Sequence, residues 1–313
     1  MKARRPYRAW LLKGGLLLLA AVLFLYRWPW ESWPALTAPT ARPYFWPWFA
    51  GFLLLTVLNL SLDATTWLIV QRLVRPLGWR RALLHNLQCY ALAFITPFQS
   101  GELAGRYLLQ PPEHRQKALY LTFWMHAPKL SAKLLVALPL FIWASGQRSF
   151  WWPSALLLLI GIGYFYLEPA FRLLQRFRLG KWPLKRFLIA GRPSRREKAI
   201  LLTINALRFL IFSSQLALML HLLSPETLQL KLLLSIPVYY LLSAIIPSWT
   251  ALDFLIKGTL ALYFFQWMEA QAATVALAGM AVWFFNVALP AGVGFSLLRP
   301  SQWRWKQAGK AEP

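Results

Sequence analysis

The stretch AFITPFQSGELAGRYLLQ, residues 93–110, decides how this chain is read. It begins as an apolar segment and breaks at Pro97. Polar residues and a glycine follow, then Glu102 and Arg106, and then the apolar character resumes. Proline removes a backbone donor and ends the incoming helix. A new helix starting just after it has free N–H groups, which favour a carboxylate in its first turn. A cation four residues later lies on the same helical face and can pair with that carboxylate.

The surrounding sequence makes such a break costly. Hydrophobic residues are 58% of the chain and charged residues 14%, well under the quarter or so of a soluble domain. Apolar runs recur, among them LLLLAAVLFLY, FAGFLLLTVLNLSL and PSALLLLIGIGYFY. About 20 such residues cross a bilayer core as a helix. The 18 tryptophans gather near the ends of these runs, as in WPWESW, FWPWF, FWWP and WRW, where an amphipathic ring sits at the headgroup level. The expected fold is an all-α integral membrane protein, a single polytopic domain over 1–313.

Expected spans are 10–27, 47–70, 117–143, 153–168, 199–223 and 270–298. Two interrupted regions, 83–108 and 229–267, lie between them. Lysine and arginine fall into alternating groups. Five lie before residue 14, four in 72–81, two in 111–118, ten in the connector 169–198 and four in the tail. The alternate segments hold only Arg27, Arg42, Arg148 and Lys231. The positive-inside rule then places both termini and the basic connector on the cytoplasmic side of an inner (plasma) membrane. This count requires each interrupted region to return to the side it entered. The reading is six full spans with two re-entrant hairpins in two pseudo-symmetric halves; eight thinly connected spans are the alternative. The basic connector is expected to lie on the cytoplasmic leaflet, where each cation is worth roughly 1 kcal/mol against anionic lipid. The N-terminal run has no clear cleavage site after it and is read as an uncleaved span.

The net charge of +24 does not indicate nucleic acid, because the cations sit in short blocks between apolar runs. Cys89 is the single cysteine, which excludes an internal disulfide and a cysteine metal cluster. The four histidines have no metal-ligand spacing, and there is no GxxxxGK[ST] phosphate loop or DxD motif. No cofactor and no enzymatic activity are expected.

The second interrupted region repeats the first. YALAFITPFQSGELAGRYLL and YLLSAIIPSWTALDFLIKGTL share a tyrosine (Tyr90, Tyr240), an apolar run and a proline (Pro97, Pro247). A short polar stretch follows, then an i,i+4 acid–base pair: Glu102 with Arg106, and Asp253 with Lys257. Broken segments at matching positions in two halves point to a transporter binding site, and ionisable residues at depth are functional by default. The candidate substrate-binding set is Glu102, Arg106, Arg208, Asp253, Lys257, Gln99, Ser100, Gln215 and Asp63. Arg208 needs an anionic partner, because a lone buried guanidinium is costly. Asn59 shares a helical face with Asp63. Lys129 and Lys133 either line a cavity or snorkel. Asn286, four residues before Pro290, reads as an interhelical hydrogen bond.

PFQSGELAGR, 97–106, resembles the PGGxGE…R signature of the lysylphosphatidylglycerol synthase transmembrane region, the flippase-like domain family. IPSWTALDFLIKG resembles that family's P-x-x-x-G-x-x-E segment, and LRFLIFSSQ and WFFNVALPAGVG resemble its later spans. The chain departs from the pattern at Phe98 and Gln99, where the family has glycines, and at Asp253-x-x-x-Lys257, which lacks a glycine run. The resemblance implies the transmembrane module alone, without an aminoacyl-transferring domain. It also implies movement of a phospholipid or glycolipid between leaflets; for such a translocator the reading sets Arg106, Arg208 and Lys257 on the phosphate and Glu102 and Asp253 on an amine or sugar hydroxyl. The other readings are a small-solute transporter, a lipid-modifying enzyme, and a non-catalytic scaffold that docks envelope-synthesis proteins.

Overall fold

The computed structural model describes residues 22–23, 25–26, 44–96, 100–144, 155–166, 193–225, 229–246, 249–265 and 272–298. The first expected span and most of the basic connector lie outside these residues. So do Gln99 and both hairpin prolines, Pro97 and Pro247.

The described residues form helices: α1 Phe45–Arg72, α2 Trp79–Ile95, α3 Ser100–Leu108, α4 Arg115–Leu121, α5 Phe123–Ala144, α6 155–166, α7 Arg195–Leu223, α8 Leu230–Ile245, α9 Asp253–Phe264, α10 Ala272–Trp283 and α11 Leu289–Leu297. Among the described residues, four continuous stretches are long and apolar enough to cross a membrane: Phe45–Arg72, Pro112–Ile142, Arg195–Leu223 and Thr274–Leu297. They coincide with four of the expected spans. The expected span over 153–168 is described only as the 12-residue α6, too short at about 1.5 Å per residue to cross alone.

α1 and α7, 28 and 29 residues long, pack along one another and centre the bundle. α7 starts four residues before the expected span over 199–223. Ser194 accepts from the Glu197 backbone N–H, and the Glu197 carboxylate accepts from the Ser194 N–H. This capping box satisfies two orphan donors, so Arg195–Lys198 belong to the helix. Lys198 lies among packed helices. It is buried, its Nζ donates to the Phe165 carbonyl at 3.1 Å, and it stands 4.6 Å from the Trp124 ring.

Two apolar clusters hold the bundle. One joins Phe52, Leu216, Leu220, Ile236, Tyr239, Leu262 and Val275 from α1, α7, α8, α9 and α10. The other joins Trp67, Val70, Ala82, Leu121, Met125, Tyr164 and Leu201 from α1, α2, α4, α5, α6 and α7. Between Phe52 and Trp67, the buried face of α1 carries Thr56, Asn59, Asp63 and Thr66. Helical spacing thus lays a polar stripe between two apolar ones.

The first interrupted region folds back on itself. Gly101 and Gly105 of α3 lie on α2 so closely that a Cβ on Gly101 would fall 2.0 Å from the Leu92 carbonyl oxygen. One on Gly105 would fall 2.8 Å from Cys89 Sγ. Rising numbers on α3 meet falling numbers on α2, so the two helices are antiparallel. Small residues at i,i+4 permit such close backbone approach. Thr96 closes the break: its hydroxyl donates to the Leu92 carbonyl and accepts from the Gly101 N–H, each at 2.7 Å. The exit of this hairpin lies beside its entry, because Gln110, just past α3, exchanges amide hydrogen bonds with Gln71 at the end of α1 (3.0 and 3.3 Å).

Candidate functional site

α1 and α7 meet through an antiparallel polar ladder. Gln215 donates to Thr56 Oγ1 (2.7 Å), Arg208 Nε to Asn59 Oδ1 (3.2 Å), and Asn205 to Thr66 Oγ1 (3.3 Å). Arg208 sits in the middle and also pairs with Asp63 through Nη1. The anionic partner that a buried Arg208 requires is therefore Asp63, 145 positions away in the chain.

Asp63 is the hub. Its Oδ1 faces both Arg208 and Lys129 Nζ, the latter at 3.1 Å. Its Oδ2 accepts from Asn86 Nδ2 and the Tyr90 hydroxyl, each at 3.1 Å. Four helices, α1, α2, α5 and α7, thus converge on one carboxylate that is 2% exposed. A buried carboxylate needs this many partners to offset its desolvation.

Both expected i,i+4 pairs form. Arg106 Nη2 donates to Glu102 Oε1 at 3.3 Å, and Lys257 Nζ contacts Asp253 Oδ2. In each case the acid occupies the first turn of its helix, α3 or α9, where the exposed N–H groups favour it. His126 Nε2 lies 3.8 Å from Glu102 Oε2. The Arg106 guanidinium stacks over Trp67 with 4.1 Å from Cζ to the ring centroid. Its Nε and Nη1 are buried and have no acceptor among the described residues.

α5 links these groups. Lys129 serves Asp63, while Lys133, one turn further on, lies within electrostatic reach of Lys257, Asp253 and Arg208. The two interrupted regions also touch. Trp249, at the tip between α8 and α9, donates its indole N–H to the Phe94 carbonyl near the end of α2 (2.9 Å). Trp283 of α10 donates to the Thr250 carbonyl of the same tip (3.1 Å). The Phe94 carbonyl, orphaned where α2 ends, is thus satisfied from the second interrupted region.

Asn286 makes the interhelical bond expected of it, accepting from Asn59 Nδ2 at 2.8 Å while donating to the Val282 carbonyl. It sits in a π-helical stretch, Phe284–Ala288. The cause is local: Pro290 has no N–H to return to the Asn286 carbonyl, which frees the turn to widen.

The structure therefore pairs Asp63 with Arg208, Glu102 with Arg106 and Asp253 with Lys257. It separates Gln215, which is fully buried and two turns from Arg208, beside Thr56 and Phe52. Ser100 opens α3 on an exposed position, and Gln99 lies outside the described residues. Asn86, His126 and Asn205 were not singled out from sequence. Only Asn205 carried a local signal, three residues before Arg208, to which it offers its carbonyl oxygen at 3.2 Å. Among the described residues no group of histidine, cysteine and acidic side chains is arranged to hold a metal.

Compared with protein-family models and with characterised proteins, the chain matches none.

Proposed function

We propose that this protein is a translocator that moves a polar-headgroup lipid, a phospholipid or glycolipid, between the leaflets of an inner membrane. The observation that carries this reading is the contact of two interrupted helical segments through Trp249 and Phe94, each with an acid–base pair in its second helix, the first segment also reaching the Asp63 hub through Asn86 and Tyr90. Ionisable groups at membrane depth mark substrate paths. Broken helices that meet at one place mark transporter sites.

In this reading α2 with α3, and α8 with α9, are re-entrant hairpins between six full spans, and both termini are cytoplasmic. The Gln71–Gln110 bonds support a hairpin that leaves on the side it entered. Each i,i+4 pair is nearly neutral when closed. A headgroup that inserts between its members meets one negative and one positive group. Movement is then driven by the lipid gradient or by a coupled ion. The likeness of PFQSGELAGR to the flippase-like domain signature agrees with this reading.

The test is reconstitution of the full chain in liposomes with headgroup-labelled fluorescent lipids. Inner-leaflet label should become accessible to a membrane-impermeant quencher faster than in empty vesicles, and Glu102→Gln should remove the gain. If the protein gives no gain with any of several lipid classes, the translocator reading fails. The scaffold reading, in which the ion pairs only hold helices together, then takes its place.

A further inference from the structure

The two halves use one helical plan twice. Phe45 and Arg195 open α1 and α7, Tyr90 and Tyr240 lie on α2 and α8, and Pro97 and Pro247 interrupt the chain; the members of each pair are 150 positions apart. The order α1–α2–α3 thus corresponds to α7–α8–α9, and α5 to α10 with α11. The copies are inverted, because rising numbers on α1 meet falling numbers on α7: Thr56 with Gln215, Asp63 with Arg208 and Thr66 with Asn205. Inverted copies are the architecture in which one part of a bundle rocks against the other.

The copies differ in how they are held. α2 is anchored on three sides. Gly101 and Gly105 seat α3 against it, and a Cβ on Gly294 of α11 would fall 1.9 Å from its Leu87 carbonyl oxygen. Gln88 donates to the Leu297 carbonyl at 2.9 Å, and Asn86 and Tyr90 both donate to Asp63 of α1. The residues that correspond to Gly101, Gly105, Asn86 and Gln88 in the second copy are Ala251, Leu255, Ile236 and Val238. Apolar contact is non-directional, so it holds α8 without fixing one register. Of these anchors only the tyrosine is kept.

In the second copy the partner that corresponds to Asp63 is Ser213, at the same distance along the chain from Tyr240 as Asp63 from Tyr90. That bond is not made. Tyr240 Oη and Ser213 Oγ are both buried, and neither has a hydrogen-bond partner among the described residues. The Tyr240 ring packs instead on Phe212, the residue before Ser213, with 4.7 Å between centroids. Two buried hydroxyls without partners are costly, and one bond between them would satisfy both. Tyr239, also on α8, donates to the Lys257 carbonyl of α9 at 2.9 Å, which ties the two helices of this hairpin together.

We propose that the α8–α9 hairpin is the moving element of this protein and that the α2–α3 hairpin is the fixed one. The α8–α9 hairpin shifts across α7 between two positions. In the one seen here Tyr240 lies on Phe212; in the other it donates to Ser213, as Tyr90 donates to Asp63. The shift carries the Asp253–Lys257 pair with it and leaves the Glu102–Arg106 pair in place. The inference rests on the translocator reading only for the use of this movement.

The experiment places spin labels on the full chain at Leu210→Cys of α7 and Leu242→Cys of α8, both exposed positions, in a Cys89→Ala background. Pulsed electron resonance in phosphatidylcholine nanodiscs then reads the α7–α8 distance. The labelled protein should show two distances. Tyr240→Phe and Ser213→Ala should each lower the second population about fivefold, the ratio set by one net hydrogen bond. Combined, they should lower it no further, because the bond is lost only once. A single distance overturns the proposal, and so do two distances whose populations ignore both substitutions. Each substitution removes a hydroxyl that has no partner in the position seen here, so neither should lower the melting temperature. A clear loss of stability in either would show that the hydroxyl is already bonded, and counts against the proposal. Two positions without translocation in liposomes sink the translocator reading alone; translocation with a single α7–α8 distance sinks this inference alone.

Discussion

Arg208 of α7 and Lys129 of α5 share one oxygen of Asp63, and Asp63 lies on a third helix, α1. The carboxylate therefore ties three long helices at one buried point. Removing it strands two cations. Asp63→Ala should cost about 3–5 kcal/mol, the range for breaking a buried ion pair. Asp63→Ala with Arg208→Ala should cost less than the sum of the single changes. Unfolding in mixed micelles, read by circular dichroism, measures this coupling, and strict additivity would show that the two residues do not interact.

Glu102 and Arg106 give a second cycle. Glu102→Ala leaves Arg106 at 2% exposure without its ion-pair partner, at a cost on the order of a few kcal/mol. Adding Arg106→Ala should recover part of the loss. The recovery is incomplete because the guanidinium also stacks on Trp67, a contact worth about 0.5–2 kcal/mol. A double variant no more stable than Glu102→Ala in a thermal melt would sink the pairing.

The α2–α3 seam predicts an asymmetry between two glycines. At Gly101 a Cβ would strike the Leu92 backbone, which cannot move aside alone. At Gly105 it would first strike the Cys89 thiol. Gly101→Ala should destabilise by about 1–3 kcal/mol or more, the usual range for overpacking. Gly105→Ala should be largely rescued by Cys89→Ala, whereas Gly101→Ala should not. Melting temperatures of the four variants decide, and equal rescue of both would refute the seam.

The Trp249–Phe94 bond predicts a link between the two halves. Trp249→Phe keeps the ring and loses the N–H, so stability should fall by only about 1 kcal/mol. Headgroup exposure in liposomes should slow by more than that loss of fold explains. An unchanged rate would mean that the contact between the tips plays no part in movement.

The Gln71–Gln110 bonds predict topology. In a Cys89→Ala background, single cysteines at Pro76 and Pro112 should react with an impermeant maleimide from the same side of the membrane. Labelling from opposite sides would replace the first hairpin by two crossings.

Much of this architecture was legible in the sequence because it depends on local spacing. Apolar runs of membrane length gave α1, α7 and the long stretches over 112–142 and 274–297. A helix brings i and i+4 together wherever it lies, so the Glu102–Arg106 and Asp253–Lys257 pairs followed from counting four residues. Even Arg208's need for an anion could be stated from its burial among apolar neighbours, although its partner could not.

What the tertiary structure decided is which distant residues share a neighbourhood. Nothing local ties Asp63 to Arg208, Asn59 to Asn286, Gln71 to Gln110 or Trp249 to Phe94. Gln215 stands in the candidate set with Arg208, yet it serves Thr56 two turns away. Lys129 is one cation among many in the sequence, and its pairing with Asp63 emerges only when α5 is set beside α1. Ion pairing and hydrogen bonding fall off within a few ångströms. The partner of a buried charge is therefore fixed by how helices pack, and only its need for a partner by the sequence around it.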